Sequence, residues 1–261
     1  MNIRFDGKAV LVTGAAGAIG KGVARELCAG GGRVFLTDLD PAAVEAAVAE
    51  IRQAGDCAGM AGDVTQEGDV VRIVAAARAA LGDRIDLLIN VAGIVAQAPV
   101  ESIALDEWEK IFAVNCRGTF LFIKHVVPLM KQNRYGRIVN FSSKSGKTGS
   151  ALMAHYSAAK GAIITLTQSL AFEFAKEKIN VNCVCPGITD NTGVWSHVSA
   201  GYIQNLKLAR EDVVKKFSDK IPLKRLAAIK DVVAVTCFLA SEGADYMTGQ
   251  ALNITGGREM H

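Results

Sequence analysis

Short apolar runs alternate with helical stretches along the whole chain, and this alternation constrains the fold more than any other feature. The runs are rich in β-branched residues, and residues 9–12 and 87–89 are continuously apolar. A strand needs such continuous apolar character when both faces of its sheet are buried. Strands separated by helices at this spacing are joined by right-handed parallel crossovers. The pattern therefore predicts an α/β fold, a single doubly wound parallel sheet of about seven strands with helices on both faces.

Capping and turn residues place the helices between these strands. The predicted strands are residues 8–13, 34–38, 57–61, 85–91, 137–141, 180–184 and 251–254. Asp40 is predicted to cap the helix after the second strand, and Thr65 the helix after the third. Asp106 is predicted to open a long helix that Pro128 kinks or ends. No repeat or linker interrupts the pattern, so residues 1–261 are predicted to form one domain.

Composition excludes several classes of protein. The 261 residues carry 29 Lys and Arg against 26 Asp and Glu, a net charge of +3, and no basic run that indicates nucleic-acid binding. No apolar stretch reaches the about 20 residues that span a membrane, and the first residues do not resemble a signal peptide. The six cysteines are scattered through apolar segments, which is typical of reduced thiols in a cytoplasmic protein. Their spacing predicts no metal site.

The first strand runs into a glycine-rich turn at residues 13–20. Such a turn serves helix packing, or it lets a pyrophosphate approach the N–H groups at a helix N-terminus. A carboxylate, Asp38, follows at the end of the second strand, where it can accept both ribose hydroxyls of an adenosine and would repel a 2′-phosphate. No Lys or Arg stands at positions 15–18 or 39. The pattern predicts NAD rather than NADP as the cofactor, bound at Gly14, Gly17, Ala18, Ile19, Gly20 and Asp38.

Two later strand ends are predicted to contact the same cofactor. Asp63 and Val64 follow the third strand, where Asp63 can accept a hydrogen bond from the adenine amino group. Asn90, Ala92 and Gly93 follow the fourth strand, where small residues can lie against the cofactor. Structural roles stay open for two of these residues, since Asp63 can support a helix cap and Asn90 can form a turn.

Tyr156 and Lys160 lie four residues apart at the start of a predicted helix, so they share one helix face. A phenol has a pKa near 10, and lowering it to about 7 takes about 4 kcal/mol. An ammonium group about 4–5 Å away supplies about 3–4 kcal/mol at an effective dielectric constant near 20. We therefore expect Lys160 to lower the pKa of Tyr156 until the phenol can take a proton from an alcohol. Such a pair also occurs by chance in ordinary helices, but Ser143 ends the fifth strand close enough to place a hydroxyl beside the phenol.

The order of these motifs resembles that of the short-chain dehydrogenase/reductase family, over essentially the whole chain. The matching features are residues 13–20, Asp63, Asn90 to Gly93, Asn115, Ser143, Tyr156 with Lys160, and Pro186 with Gly187. The resemblance implies a Rossmann fold. It implies that Tyr156 is the general acid/base, and that Lys160 lowers its pKa and holds the nicotinamide ribose. It also implies that Ser143 fixes the substrate oxygen and that Asn115 holds a water that relays the proton.

The resemblance has further implications for the cofactor and for assembly. It implies that the segment after the sixth strand contacts the nicotinamide carboxamide, through Pro186, Gly187, Ile188 and Thr189. Ala18 stands where the family has its middle glycine, and Val91 where it usually has a second asparagine. The family pattern also implies a homotetramer packed through two long helices and the last strand. In such a tetramer Met260 and His261, which end the chain, can reach a neighbouring subunit.

Residues 186–218 form the most irregular stretch of the chain and are predicted to form a substrate lid. The alternative is a surface loop without a functional role. Trp195 and His197 lie in this lid, and His155 immediately precedes Tyr156. These three side chains are candidate substrate contacts.

Two lysines, Lys144 and Lys147, make the loop after Ser143 unusually basic. They are predicted to offset an anionic group on the substrate, such as a phosphate. The alternative is that both are solvated loop lysines.

Three classes of function are consistent with the sequence. Residues 166–170, 221–225 and 248–257 are similar to the sugar-alcohol branch of the family, which implies NAD-dependent oxidation of a secondary hydroxyl of a polyol or sugar to a ketone. The second class is a 3-oxoacyl-type reductase, which is expected to use NADPH and a basic residue in the first glycine turn. The third is a non-catalytic protein that senses NAD and would tolerate loss of Tyr156 or Lys160.

Overall fold

A parallel sheet forms the centre of the protein. The structure, a computed structural model, describes residues 3–193, 195–196, 199 and 209–261. Within these residues the sheet has seven strands in the order β3-β2-β1-β4-β5-β6-β7, and every neighbouring pair is parallel. The strands are β1 (Ala9–Thr13), β2 (Arg33–Thr37), β3 (Cys57–Gly59), β4 (Leu87–Asn90), β5 (Gly136–Phe141), β6 (Ile179–Pro186) and β7 (Ala251–Ile254). The predicted doubly wound α/β fold is confirmed, and each predicted strand overlaps an observed one.

Helices cover both faces of the sheet because each central strand is apolar on both sides. Val10 and Val12 of β1 pack into a cluster on one face, while Ala9 and Leu11 pack into a cluster on the other. All four side chains are fully buried. The α-helices of the described residues are α1 (Ala18–Ala29), α2 (Pro41–Ile51), α3 (Glu67–Leu81), α4 (Leu105–Phe112), α5 (Gly118–Asn133), α6 (Lys144–Thr148), α7 (Ala154–Phe174), α8 (Arg210–Ser218) and α9 (Ile229–Ala240).

The connection order creates a crevice between β1 and β4. From β1 the chain builds outward to β2 and β3, then returns to β4 on the opposite side of β1. In open α/β sheets this reversal leaves a crevice at the carboxyl ends of the two strands. The residues that follow these strands therefore surround one site.

Helix boundaries differ from the sequence prediction at two places. Asp40 caps α2 as predicted, accepting from the N–H of Ala42 at 2.9 Å. Thr65 does not cap α3, which begins two residues later with Gln66 as a cap residue without a side-chain hydrogen bond. Asp106 does not cap α4 either, because that helix begins one residue before it. Its carboxylate instead lies in the first helical turn, where negative charge is favourable.

The predicted long helix after residue 105 is divided rather than continuous. A π-helical turn, Ala113–Arg117, separates α4 from α5. Pro128 lies inside α5, which continues to Asn133. The helix tolerates the proline because this position is exposed, so the carbonyl that loses its N–H partner can bond water instead.

None of the helices in the described part of the chain combines the length and the apolar character that crossing a bilayer requires.

Candidate active site

A cavity of about 950 Å³ lies at the carboxyl ends of the strands, over the crevice between β1 and β4. Most of the residues that sequence analysis singled out line it. Those lining residues are Gly14, Gly17, Ala18, Ile19, Gly20, Asp38, Asp63, Val64, Ala92, Gly93, Asn115, Ser143, Lys144, Tyr156, Lys160, Pro186, Gly187, Ile188, Thr189 and Trp195. The fold thus gathers distant parts of the chain into one site.

The glycine turn is packed so closely that side chains are excluded at two positions. Gly14 has a φ of +63°, and a Cβ there would lie 2.7 Å from the Cα of Ala92. A Cβ on Gly20 would lie 2.2 Å from the carbonyl oxygen of Gly14. Gly17 is less crowded, with its nearest contact at 3.3 Å, and it lies directly before α1. The turn therefore presents bare backbone at a helix N-terminus, which fits the pyrophosphate of a dinucleotide.

Asp38 is fixed beside this turn. One carboxylate oxygen accepts from the N–H of Ala16 at 3.0 Å, and the other accepts from the N–H of Leu39 at 2.7 Å. Each oxygen keeps a further lone pair for a ligand hydroxyl. The carboxylate is therefore held in the cavity wall with acceptor capacity left for a ligand hydroxyl.

Asp63 supports the turn before α3 and is also part of the cavity wall. Its side chain accepts from the N–H of Thr65 at 2.8 Å, which shapes the turn before α3. It also lines the cavity. Thr65 is not the cap because α3 begins at Glu67, which places Thr65 one residue before the cap position.

Asn90 does not line the cavity, which corrects its prediction as a cofactor contact. Its Nδ2 donates to Asn140 Oδ1 at 2.9 Å, and Asn140 Nδ2 donates to Thr167 Oγ1 at 3.0 Å. All three side chains are buried. Asn90 belongs to a buried chain of polar side chains that ties β4 to β5 and α7, below the cavity floor. Sequence analysis missed Asn140 and Thr167 because nothing in the apolar pattern marks them.

Tyr156 lies on the first turn of α7 and is 7% exposed. Burial raises the pKa of its phenol, and a hydrogen bond with Ser143 acts in the opposite direction. Lys160 Nζ lies 5.8 Å from the centre of the Tyr156 ring and donates to the carbonyl of Phe141 at 2.9 Å. The expectation that Lys160 alone brings the phenol toward neutrality is therefore wrong for the protein without ligand, because desolvation outweighs the opposing contribution.

Asn115 lies in the π-helical turn, and only the nitrogen of its side-chain amide has hydrogen-bond partners. Nδ2 donates to the carbonyls of Ile111 and Ile94 at 2.9 and 3.0 Å. Oδ1 is buried and has no hydrogen-bond donor among the described residues. A Cβ on Gly93 would lie 2.7 Å from this oxygen and 3.1 Å from Lys160 Nζ. Asn115 Oδ1 and Lys160 Nζ therefore both approach Gly93 closely, and the free Oδ1 can accept from a water, as the family resemblance implies.

The structure places only some of the predicted substrate contacts in the cavity wall. Lys144 and Trp195 line the cavity, whereas Lys147 contributes no atom to its wall. His155 is completely buried, with Nε2 3.0 Å from a carboxylate oxygen of Glu107 in α4. It points away from the cavity because consecutive helical residues are rotated by about 100°.

The lid is only partly described. His197 and much of the predicted lid, residues 194, 197, 198 and 200–208, lie outside the described residues. Sequence analysis did not single out four cavity residues. Lys216 and Phe217 lie in the last residues of the predicted lid, and Lys220 and Arg258 lie beyond it. No motif or periodicity marked these positions.

The buried charge of Lys160 gives a measurable dependence of stability on pH. Burial lowers the pKa of Lys160 from 10.5 to about 8. Between these values the unfolded chain binds more protons than the folded chain, so the free energy of unfolding rises with pH. We expect the wild type to gain about 3 kcal/mol relative to Lys160→Met between pH 8 and 10.5. Urea unfolding of both proteins across this range measures the difference, and a constant difference would contradict the assignment.

Comparison with known proteins agrees with this architecture. A family profile described as enoyl-(acyl carrier protein) reductase matches residues 14–259. Sorbitol dehydrogenase of Cereibacter sphaeroides is 35% identical over 99% of this chain and 100% of its own length. A 3-oxoacyl-acyl-carrier-protein reductase of Aquifex aeolicus is 34% identical over 98% of this chain and 99% of its own length. The crystal structure of an NAD+-bound xylitol dehydrogenase has a TM-score of 0.90 and 33% identity, covering 97% of this chain and 99% of that one. With these matches and the site described above, the chain belongs to the short-chain dehydrogenase/reductase family of oxidoreductases.

Proposed function

We propose that this protein is an NAD-dependent oxidoreductase that interconverts a secondary alcohol of a polyol or sugar and the corresponding ketone. The observation that carries the proposal is the convergence of Asn115, Ser143, Tyr156 and Lys160 on one cavity beside the glycine turn. The similarity to sorbitol and galactitol dehydrogenases supports a polyol substrate.

Each side chain has a distinct task in this reaction. Ser143 hydrogen-bonds the substrate oxygen, and Tyr156 takes the hydroxyl proton as the general base. A nicotinamide cofactor held by the glycine turn and Lys160 would supply the acceptor for the hydride of the carbinol carbon. Lys160, mostly protonated at neutral pH, holds a positive charge near the Tyr156 ring. Asn115 Oδ1 and Lys160 Nζ flank the space through which the proton passes by way of water.

The preference for NAD rests on Asp38. The cavity wall beside it carries Leu39 and the small residues of the glycine turn, so no described wall residue there neutralises a 2′-phosphate. We expect Asp38→Ala to weaken NADH binding by about 10-fold or more and to bring the NADH and NADPH dissociation constants close together. Fluorescence titration of both nucleotides measures this. A strong NADH preference that survives the substitution would remove Asp38 from this role.

A 3-oxoacyl-type reductase is the alternative that the family profile and the Aquifex relative favour. Against it stand Asp38 and the lack of a basic residue at positions 15–18. A non-catalytic NAD sensor is less consistent with the chain, because all four catalytic positions are filled by the residues that the chemistry needs.

A substrate panel tests the proposal. Sorbitol, galactitol and their phosphates with NAD at pH 8 form one arm, and acetoacetyl-CoA with NADPH forms the other. We expect NADH formation in the first arm. Reaction confined to the second arm would favour the acyl reductase, and reaction in neither would overturn the polyol proposal.

Assembly and location are parts of the same proposal. A homotetramer would cover apolar side chains that α4, α5 and α7 leave exposed, such as Leu105, Phe120 and Phe172, and it would bring Met260 and His261 near a neighbouring subunit. The mass measured by light scattering is expected to be four times 27.5 kDa. All six cysteines are free thiols, which supports a cytoplasmic location.

A further inference from the structure

The charged residues of the cavity wall are segregated along the sheet. The two carboxylates, Asp38 and Asp63, follow β2 and β3 at one end, where the adenosine is expected to bind. The opposite end, beyond β5 and β7, carries cations and no carboxylate among the described wall residues. These cations are Lys144, Lys216, Lys220 and Arg258. This end lies beside the catalytic Ser143, so its charge acts on the substrate half of the cavity.

Two of these cations come from chain segments that pack directly on each other. Leu223 N donates to the carbonyl of Gly256 at 3.2 Å. A Cβ on Gly256 would lie 2.7 Å from Cγ2 of Ile221. Lys220 and Arg258 flank this contact in sequence, so the fold brings both to the same side of the cavity.

Glu259 orients the Arg258 guanidinium but does not use all of its hydrogen-bond donors. Its Nε lies 3.4 Å from a carboxylate oxygen of Glu259, and Lys144 Nζ lies 3.7 Å from the same oxygen. The Glu259 side chain is only 9% exposed, and its carbonyl accepts from Asn253 Nδ2 at 3.1 Å. The Nη groups of Arg258 donate no hydrogen bond to a described residue. They form a free guanidinium fork, the geometry that pairs with a carboxylate or phosphate.

A buried donor on the same wall also lacks a partner. Trp195 is 2% exposed, and its Nε1 has no hydrogen-bond acceptor among the described residues. Its ring packs edge-to-face on Phe217 at 5.6 Å, next to Lys216. A buried N–H without an acceptor costs free energy, and an oxygen of a ligand in this part of the cavity would remove that cost.

We propose that the substrate carries an anionic oxygen group, a phosphate or a carboxylate, which Arg258 and Lys220 bind with the Trp195 indole N–H as a further donor. The inference rests on the proposed function and narrows its substrate class to secondary alcohols with an anionic group. Arg258 is then a specificity-determining residue, in place of Lys147.

Binding of inorganic phosphate tests the site without knowledge of the sugar. Phosphate titrated into the NADH complex, followed by nucleotide fluorescence, is expected to bind saturably and to compete with sorbitol in kinetic assays. Arg258→Gln is expected to weaken phosphate binding by about 10- to 100-fold, the range for hydrogen bonds to charged groups. Arg258→Lys is expected to restore part of that affinity. Lys215→Gln is the matched control, because Lys215 is on α8 beside Lys216 but outside the cavity wall.

Substrate pairs distinguish the two kinds of anion. Sorbitol 6-phosphate and gluconate are each compared with neutral sorbitol. The kcat/KM value is expected to be about 10-fold or more higher for one of the two charged compounds than for sorbitol. This preference is expected to be lost in Arg258→Gln. Phosphate that neither binds nor competes would overturn the proposal. So would an Arg258→Gln variant that loses NADH and phosphate equally, since the guanidinium would then serve the cofactor.

The same data separate this site from the proposed function. Arg258-dependent phosphate binding without turnover of any alcohol would leave the anion site standing and reject the polyol oxidoreductase. Efficient turnover of neutral polyols without phosphate competition would support the polyol oxidoreductase and reject the anion site.

Discussion

Tyr156→Phe is expected to lower kcat by about 10³-fold, within the range for loss of a general acid/base. The phenol ring packs with Met153, Trp195 and Leu226, and phenylalanine preserves those contacts while removing only the hydroxyl. The NADH dissociation constant is therefore expected to change by less than about fivefold, since one hydrogen bond contributes about 1 kcal/mol. Steady-state kinetics and NADH titration measure the two quantities separately.

A matched control is available on the surface. Tyr246 is fully exposed, so Tyr246→Phe makes the same chemical change far from the cavity wall and is expected to leave kcat unaltered. A fall in kcat smaller than about 10-fold for Tyr156→Phe would contradict its assignment as the group that moves the proton.

Gly20→Ala is expected to destabilise the protein by about 3 kcal/mol or more and to abolish measurable NADH binding. The added Cβ would lie 2.2 Å from the carbonyl oxygen of Gly14 and 2.9 Å from the Cα of Ala15. Both neighbours are backbone atoms of the turn, so relief of the contact requires that α1 move away from the strand end. The expected displacement removes the N–H groups that hold the pyrophosphate.

The same substitution at Gly68 isolates the role of the close contact. Gly68 is also helical, in α3, but a Cβ there would meet no atom within 4 Å. Gly68→Ala is expected to stabilise the protein by about 0.5–1 kcal/mol through helix propensity. Chemical unfolding and NADH titration of both variants give the comparison. Equal effects at the two positions would show that the turn is not packed as described.

The strands and the central motifs were predictable from sequence because both depend on local patterns. Continuous apolar runs mark strands buried on two faces, and the strand-turn-helix glycines mark the phosphate end of the cavity. Helix starts were less predictable where several polar residues stand side by side, as Asp63, Thr65 and Gln66 do before α3. The effect of Pro128 on its helix could not be predicted from the local sequence, because it depends on whether the proline faces solvent.

Contacts that depend on distant segments could not be predicted. Arg258 becomes a cavity residue only because the segment after α8 packs on the end of β7. Asn90 was predicted to contact the cofactor or to form a turn, but its side chain is buried and donates to Asn140 Oδ1. The pKa of Tyr156 depends on how much water the fold removes from the phenol, and the Tyr-Lys spacing alone contains no information about this desolvation.

The titration of Tyr156 itself is the most direct test of the proposed chemistry. Tyrosinate absorbance near 295 nm, recorded as wild type minus Tyr156→Phe, reports this phenol among the four tyrosines. In the free protein the phenol is predicted to ionise above its ordinary pKa, because burial dominates. In the NAD+ complex one tyrosinate is predicted to appear at least about 2 pH units lower, as a nearby positive charge requires for base catalysis near neutral pH. A Tyr156 that ionises at the same high pH in both states would contradict its role as the base.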